Sequence, residues 1–196
     1  MEHIHPIFDK ILKKSDKEKL LNQRGMVVWM VGLSGSGKST LAKAVEQYLH
    51  EKGHITQLLD GDNLRTGINN NLGFSAEDRI ENIRRAAEVS KLFMNCGIIT
   101  ICSLISPTEE IRKMAASVIG EGYFEVFINC PIEVCEKRDV KGLYEKVRKG
   151  AIKNFTGIDA PFENPVKPDL ELRTDLNNLE TCRESLVKEI LNKIKY

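Results

Sequence analysis

The chain has 196 residues, with 29 Lys plus Arg against 28 Asp plus Glu and a formal net charge of +1. This length favours one domain with a sizeable core, and the balanced charge argues against a nucleic acid or an anionic membrane as partner. The five cysteines show no C-x-x-C or metal-finger spacing, which favours reduced thiols. No signal-peptide pattern and no apolar run of ~20 residues is present, so we expect a cytoplasmic protein.

The chain divides into a short extension, residues 1–22, and a domain, residues 23–196. The extension combines apolar residues with many lysines, which predicts an amphipathic helical segment that packs on the domain or on a partner subunit. In the domain, strand patterns alternate with helical patterns. This alternation predicts an α/β fold with a parallel sheet that carries helices on both faces.

Residues 32–39 match G-x-x-x-x-G-K-[ST], the P-loop pattern. The six apolar residues 26–31 before them predict a buried strand, and a helical pattern follows, so the motif stands in the strand–loop–helix context it requires. Gly35 and Gly37 allow turns that aim backbone N–H groups at a phosphate. Lys38 would contact the β- and γ-phosphates and Ser39 would ligate Mg²⁺. The predicted nucleotide-binding residues here are Gly32, Ser34, Gly35, Ser36, Gly37, Lys38, Ser39 and Thr40.

A second predicted strand, residues 55–59, ends at Asp60-Gly61-Asp62-Asn63. Ligands of open α/β sheets bind at the carboxyl ends of the strands, so two carboxylates here suit Mg²⁺ binding or proton acceptance from a hydroxyl. The alternative is a plain polar turn, since Asp, Gly and Asn favour turns.

The elements that follow place further polar residues near this edge. A helix from Ser75 to about Cys96 carries Arg79 and Asn82 three residues apart, so both can face one ligand. The next strand, residues 98–105, ends at Ser106. After a helix, a strand at 123–129 and a short helix to 138, residues 139–168 form a basic, irregular insertion. Such an insertion near a phosphate site predicts a lid that closes over the nucleotide.

The P-loop alone does not distinguish kinases, ATPases and GTPases. The guanine motif N-K-x-D is absent from the sequence, and the Walker B strand of motor ATPases is not evident. A short domain with D-G-D-N after the second strand and a basic lid indicates a small-molecule kinase.

Several motifs, spread over residues 26–160, together resemble the adenylylsulfate kinase family. Besides the P-loop they are L-D-G-D-N (59–63), G-F-S with D-R-x-E-N-I-R-R (73–85), R-D-V-K-G-L-Y (138–144) and F-T-G-I-D (155–159). Two departures from the family pattern occur. Thr108-Glu109-Glu110 replaces the usual aromatic and basic residues after Ser-Pro, and Phe162-Glu163 replaces the usual Tyr-Glu.

The resemblance implies a phosphotransferase with an alcohol group as acceptor, which uses ATP and Mg²⁺ in sulfate assimilation. It would phosphorylate the 3′-hydroxyl of adenosine 5′-phosphosulfate (APS) to give 3′-phosphoadenosine 5′-phosphosulfate (PAPS) and ADP. Asp62 would orient or deprotonate that hydroxyl, Asp60 would support metal-bound water, and Arg138 would contact the nucleotide. The implied acceptor-binding residues are Asp62, Asn63, Arg65, Phe74, Arg79, Asn82, Ile105, Ser106, Lys141, Lys153, Asn154 and Phe155.

Other features of the family are expectations of the same kind. Phe74 and Phe155 would sandwich the acceptor adenine. Some bacterial members are described with a phosphorylated serine at the position of Ser106, but we expect direct transfer. The family implies a homodimer and a functional link to ATP sulfurylase. The alternatives are another small-molecule kinase, for nucleoside monophosphates or gluconate, a nucleotide-binding regulatory subunit, and a catalytically silent partner of ATP sulfurylase. The intact Lys38, Ser39, Asp62 and Arg79 argue against a silent domain.

Overall fold

The computed structural model describes residues 3–196, which form five strands and eight helices. The strands are β1 Met26–Val31, β2 Thr56–Asp60, β3 Ile99–Ser103, β4 Tyr123–Asn129 and β5 Leu170–Arg173. The helices are α1 Lys14–Leu21, α2 Lys38–Glu51, α3 Gly61–Thr66, α4 Ala76–Met94, α5 Glu109–Ile119, α6 Ile132–Arg138, α7 Leu143–Arg148 and α8 Leu179–Lys193. None of these helices of residues 3–196 is long and apolar enough to cross a membrane.

The five strands make one parallel sheet in the order β2-β3-β1-β4-β5. The predicted fold class is therefore confirmed. The chain leaves the central strand β1 toward one side, for β2 and β3, and reaches its other side at β4. This reversal of direction creates a crevice outside the carboxyl end of β1, which is where ligands of open α/β sheets bind. The P-loop starts at that end.

The core lies on both faces of the sheet. All six residues of β1 are buried, which explains its uninterrupted apolar run. Val28 and Met30 point to one face and pack with α2 and α8. Val27 and Trp29 point to the other face and pack with α4 and α5. A rigid sheet between two helical layers thus fixes the positions of the strand ends.

The N-terminal extension is helical only in α1. Residues 3–12 form turns and irregular structure, and Ile7 and Phe8 are exposed. A short helix is only marginally stable unless one of its faces packs on other elements. Residues 3–12 are exposed and have no such packing within the described chain. After α1, Gln23 is buried and its Nε2 donates hydrogen bonds to the carbonyls of Gly97 (2.7 Å) and Ile55 (3.0 Å). The point where the extension joins the domain is therefore fastened at the amino end of the sheet, away from the P-loop.

Candidate active site

The P-loop has the backbone geometry that its glycines predict. Gly35 and Gly37 have φ angles of 76° and 98°, in the region that side chains with a Cβ disfavour. At Gly32, a Cβ would lie 2.7 Å from the carbonyl oxygen of Ile128 in β4. Glycine is therefore required at all three positions, at two by conformation and at Gly32 by close approach of the neighbouring strand.

Lys38 is buried against its own loop. Its Nζ donates hydrogen bonds to the carbonyl oxygens of Gly32 (2.8 Å) and Leu33 (2.7 Å). Burial lowers the pKa of Lys38 to about 8, and nearby acidic groups only partly oppose this shift. The ammonium group is thus charged at neutral pH but loses its proton more readily than an ordinary lysine, and an anion in the loop would stabilise its charged form.

Three oxygen-bearing side chains meet beside the first turn of α2. Ser39 Oγ donates to Asp60 Oδ2 at 2.7 Å and lies 3.1 Å from Ser103 Oγ. Hydroxyl and carboxylate oxygens are the donors that Mg²⁺ prefers. Among the described residues no cluster of three His, Cys, Asp or Glu could hold a metal alone. A Mg²⁺ ion with few protein ligands fits this set, because it commonly keeps waters and substrate phosphates as its other ligands.

The stretch after β2 forms the short helix α3 and not a polar turn. Asp60 is its N-cap, and Asp60 Oδ1 accepts a hydrogen bond from the Asp62 backbone N–H at 3.0 Å. This cap separates the two carboxylates. Asp60 faces Ser39, whereas the exposed carboxylate of Asp62 forms an ion pair with Lys141 of the lid.

Two arginines and an aromatic ring form the wall opposite the P-loop. The Arg65 guanidinium lies 4.4 Å from the centroid of the Phe74 ring, and its Nη1 donates to the Gly73 carbonyl at 2.7 Å. Arg79 donates to Thr156 Oγ1 (2.6 Å) and to the Asn154 carbonyl of the lid. The pKa of Arg79 is lowered first by burial and then by the like charge of Arg65. Two adjacent cations of this kind suit an anionic ligand.

Asn82 is buried behind these arginines and held by a residue that sequence reasoning missed. Asn69, which is fully buried, donates from Nδ2 to Asn82 Oδ1 at 3.0 Å. Asn82 also lines the cavity, and because its oxygen is engaged, its amide N–H groups are the part of the side chain that is left to bind a ligand.

The predicted lid, residues 139–168, contains α7 and contacts the P-loop directly. Tyr144 Oη donates to the Ser34 carbonyl at 2.9 Å, and the rings of Tyr144 and Phe155 meet edge-on with centroids 5.0 Å apart. Phe155 therefore packs on Tyr144 and Phe74 on Arg65, and both rings line the cavity. That they sandwich an adenine remains a prediction.

Ser106 has a backbone conformation that is unusual for a residue with a side chain. Its φ is 47°, and its buried Oγ accepts a hydrogen bond from Trp29 Nε1 at 3.0 Å. The hydroxyl thus helps to shape the loop after β3. A buried and engaged hydroxyl is poorly placed to act as a nucleophile.

Arg138 lies beside the P-loop and links it to the end of β5. Its Nη2 donates to the Thr174 carbonyl at 2.6 Å, and Thr174 Oγ1 donates to the Ser36 carbonyl at 2.7 Å. Thr174 was not predicted from the sequence. Its place directly after β5 was the available signal, since strand ends carry ligands in this type of sheet.

One cavity of about 910 Å³ brings most of the predicted residues together. Its lining contains Ser34, Gly35, Gly37, Lys38, Ser39, Thr40, Asp60, Asp62, Arg65, Phe74, Arg79, Asn82, Ile105, Ser106, Arg138, Lys141, Lys153, Asn154 and Phe155. Gly32, Ser36 and Asn63 are outside that lining; Gly32 and Ser36 support the loop, and Asn63 is exposed on α3. The lining also contains residues that sequence reasoning missed, among them Ser103, Tyr144, Thr156, Thr174, Asn177, Asn178, Leu179 and Cys182.

A phosphate-binding loop, a hydroxyl–carboxylate set for Mg²⁺, a second carboxylate and a basic lid around one cavity define a P-loop phosphotransferase for small molecules. Comparison with known proteins specifies the family. The model of the adenylylsulphate kinase family matches residues 24–173. The chain therefore belongs to the adenylylsulfate kinase family.

Individual relatives agree with this assignment. The adenylyl-sulfate kinase of Phocaeicola vulgatus is 58% identical over 191 residues, which cover 97% of this chain and 94% of that protein. The adenylyl-sulfate kinase of Bacteroides thetaiotaomicron is also 58% identical, over 98% of this chain and 96% of its own length. Among solved structures, the Mycobacterium tuberculosis APS kinase CysC in complex with AMPPNP and APS has a TM-score of 0.81 at 48% identity. The match covers 86% of this chain and 98% of that one.

Proposed function

We propose that this protein transfers the γ-phosphoryl group of ATP to the 3′-hydroxyl of APS, giving ADP and PAPS. The observation that carries the proposal is the cavity of about 910 Å³, which is lined by the P-loop at one end and by Arg65, Arg79 and Phe155 at the other. A donor and an acceptor nucleotide can therefore approach each other inside one cavity. The APS-bound relative from M. tuberculosis supports the choice of acceptor.

The donor half consists of the P-loop and the residues around it. Backbone N–H groups of Gly35 to Thr40 would hold the phosphates, and Lys38 would neutralise charge that develops during transfer. Ser39 would ligate Mg²⁺, with Asp60 acting through water. The ion would draw charge from the phosphates when it is bound. Arg138, which lines the cavity beside Gly35, would contact the nucleotide.

The acceptor half is formed by α3, α4, the loop after β3 and the lid. Asp62 would orient or deprotonate the 3′-hydroxyl. Arg65, Arg79 and Asn82 would hold the phosphosulfate and the ribose, and Phe74 and Phe155 would flank the base. Asn63, Ile105, Ser106, Lys141, Lys153 and Asn154 complete the proposed acceptor set; of these, Asn63 has the weakest support, because it is exposed and outside the cavity lining.

The transfer is direct in this proposal. Positioning and charge neutralisation carry phosphoryl transfer, and a cavity that holds both substrates in line needs no covalent enzyme intermediate. The hydrogen bond from Trp29 to the buried Ser106 hydroxyl supports this view.

The wider setting of the activity is also part of the proposal. The enzyme would act in sulfate assimilation in the cytoplasm, as a homodimer with a functional link to ATP sulfurylase. Residues 1–22 would form the extension and residues 23–196 the kinase domain. The exposed Ile7, Phe8 and Leu12 of the extension are compatible with a contact between subunits.

An acceptor exchange tests the reaction. ADP release from MgATP is followed with APS, AMP, gluconate or no acceptor, and PAPS is identified in the product by chromatography. We expect release that depends on APS and is abolished in Lys38→Ala but retained in Lys43→Ala, which changes an exposed lysine of the same helix. ADP release that APS does not stimulate would contradict the proposal.

A further inference from the structure

Arg112 is a buried arginine of α5 that lies outside the cavity lining and is not among the proposed donor-binding or acceptor-binding residues. Only 3% of its surface is exposed. A charge is costly to bury unless its environment is polar, so such a residue is expected to have several specific partners. Arg112 has such partners, and they come from three different parts of the chain.

The first partner is the loop after β3. Arg112 Nη1 donates to the Ser106 carbonyl at 3.1 Å. The Ser106 side chain is held from the other direction, since Trp29 Nε1 donates to its Oγ. These two hydrogen bonds grip Ser106 at both ends while its φ is 47°, a conformation that needs support from the surrounding structure. Ile105, Ser106 and Pro107 line the cavity.

The second partner is the carboxyl-terminal part of the lid. Arg112 Nη1 also donates to the Glu163 carbonyl at 2.9 Å. Glu163 makes two more bonds to the same region. Its backbone N–H donates to the Pro107 carbonyl at 2.8 Å, and its Oε2 accepts from the Glu109 backbone N–H at 2.7 Å. One guanidinium nitrogen therefore joins the loop after β3 to the lid.

The third partner keeps the guanidinium in place. Arg112 Nε lies 3.8 Å from Glu125 Oε2 in β4, and Tyr123 Oη donates to that same carboxylate oxygen at 3.0 Å. The Glu125 side chain is largely buried. Because β4 belongs to the rigid sheet, this contact sets the guanidinium orientation from which both carbonyls are reached.

We propose that Arg112 is a positioning residue that clamps the lid at Glu163 to the loop Ile105–Pro107 and thereby fixes the acceptor side of the cavity. This inference rests on the proposed function, in which Ile105 and Ser106 contact the acceptor. The P-loop is not part of the clamp. Loss of Arg112 should therefore affect the acceptor and spare the donor nucleotide.

The kinetic test uses Arg112→Lys, which keeps the charge but lacks the planar fork needed for several partners at once. We expect the KM for APS to rise about tenfold, as a loosened charged hydrogen bond implies, while the KM for ATP and kcat stay within about twofold. Arg84→Lys is the matched control, since Arg84 is an exposed arginine of α4 that pairs with Glu81, and it should leave all three parameters unchanged. A parallel loss in all three parameters for Arg112→Lys would overturn the proposal.

Amide hydrogen exchange tests the clamp without any substrate. In Arg112→Lys, exchange should accelerate at Glu109 and Glu163 and remain unchanged in β1. Faster exchange throughout the sheet, or unchanged exchange at both glutamates, would refute the clamp. If the wild type shows no APS-dependent ADP release, the proposed function fails, while the exchange result still decides on the clamp.

A second variant covers the case in which Arg112→Lys does not fold. The double variant R112M/E125Q removes both buried charges together, so no unpaired charge remains. The same rise in the KM for APS and the same local exchange are expected. Wild-type values of both in the folded double variant would overturn the proposal.

Discussion

Replacement of Lys38 by Met should remove a pH dependence that the wild-type protein shows in nucleotide binding. Burial lowers the pKa of Lys38 to about 8, so the free protein loses this positive charge as the pH rises through that value. The phosphates of a bound nucleotide favour the charged form of Lys38, so a protein molecule with a neutral Lys38 takes up a proton when it binds the nucleotide. The sign is therefore fixed: the affinity for the nucleotide is full well below pH 8 and falls as the pH rises through that value.

The magnitude follows from the same pKa. If Lys38 stays charged in the complex, the Kd grows with the neutral fraction of the free protein, which gives about a tenfold weaker affinity at roughly pH 9 than at roughly pH 7. Calorimetric titration with ADP at each pH, at constant ionic strength and without Mg²⁺, measures this Kd directly. Lys43→Met, an exposed change on the same helix, should keep the full dependence. A wild-type Kd that is flat over this range, or the same slope in Lys38→Met, would refute the reasoning.

Three further predictions concern the acceptor site and the junction between the extension and the domain. Asp62→Asn should lower kcat by about 10²–10⁴-fold in an ADP-release assay, because it removes the proposed proton acceptor. The KM for ATP should change little, since Asp62 does not contact the donor in the proposed mechanism. A near-normal kcat would exclude that role. Ser106→Ala should still transfer phosphate, and radiolabelled ATP should leave no phosphoprotein in the wild type, since Trp29 engages the hydroxyl. Lost turnover with normal binding of both substrates would instead point to an obligatory phosphoserine. Gln23→Ala should lower the free energy of unfolding, measured in urea, by about 2–4 kcal/mol, because the backbone groups of Gly97 and Ile55 lose their hydrogen-bond partner. Gln47→Ala, a change at an exposed residue, should alter it by less than about 0.5 kcal/mol. Equal effects of the two variants would contradict the argument.

The fold was largely predictable because its signals are local. The apolar run at 26–31 and the glycines of the P-loop specify a buried strand and a phosphate-binding turn from neighbouring residues alone. The stretch 60–63 was harder, because Asp, Gly and Asn suit both a turn and a helix start. The hydrogen bond from the Asp62 N–H to Asp60 settles this in favour of a cap. Helix formation in the extension also depends on packing, and only α1 forms there among the described residues.

The residues that sequence reasoning missed in the site share one property. Asn69, Tyr144 and Thr174 act through contacts between segments that are far apart in the chain, such as Tyr144 with Ser34 and Thr174 with Ser36. No local pattern encodes such a pair. Arg112 is a further example, since α5 presents an ordinary amphipathic pattern, and only the structure brings its guanidinium to both Ser106 and Glu163.

Three charged groups of the site are held by partners from the protein itself. Lys38 donates to two P-loop carbonyls, Asp62 pairs with Lys141, and Arg79 donates to Thr156 and Asn154 of the lid. A ligand must therefore replace existing contacts, and its affinity reflects only the difference between old and new partners. Lys141, Thr156 and Asn154 all belong to the lid. An acceptor that displaces their contacts with Asp62 or Arg79 would therefore also loosen the lid. We therefore expect acceptor binding and movement of the predicted lid to be coupled through the same few hydrogen bonds, while the proposed Arg112 clamp holds the Glu163 end in place.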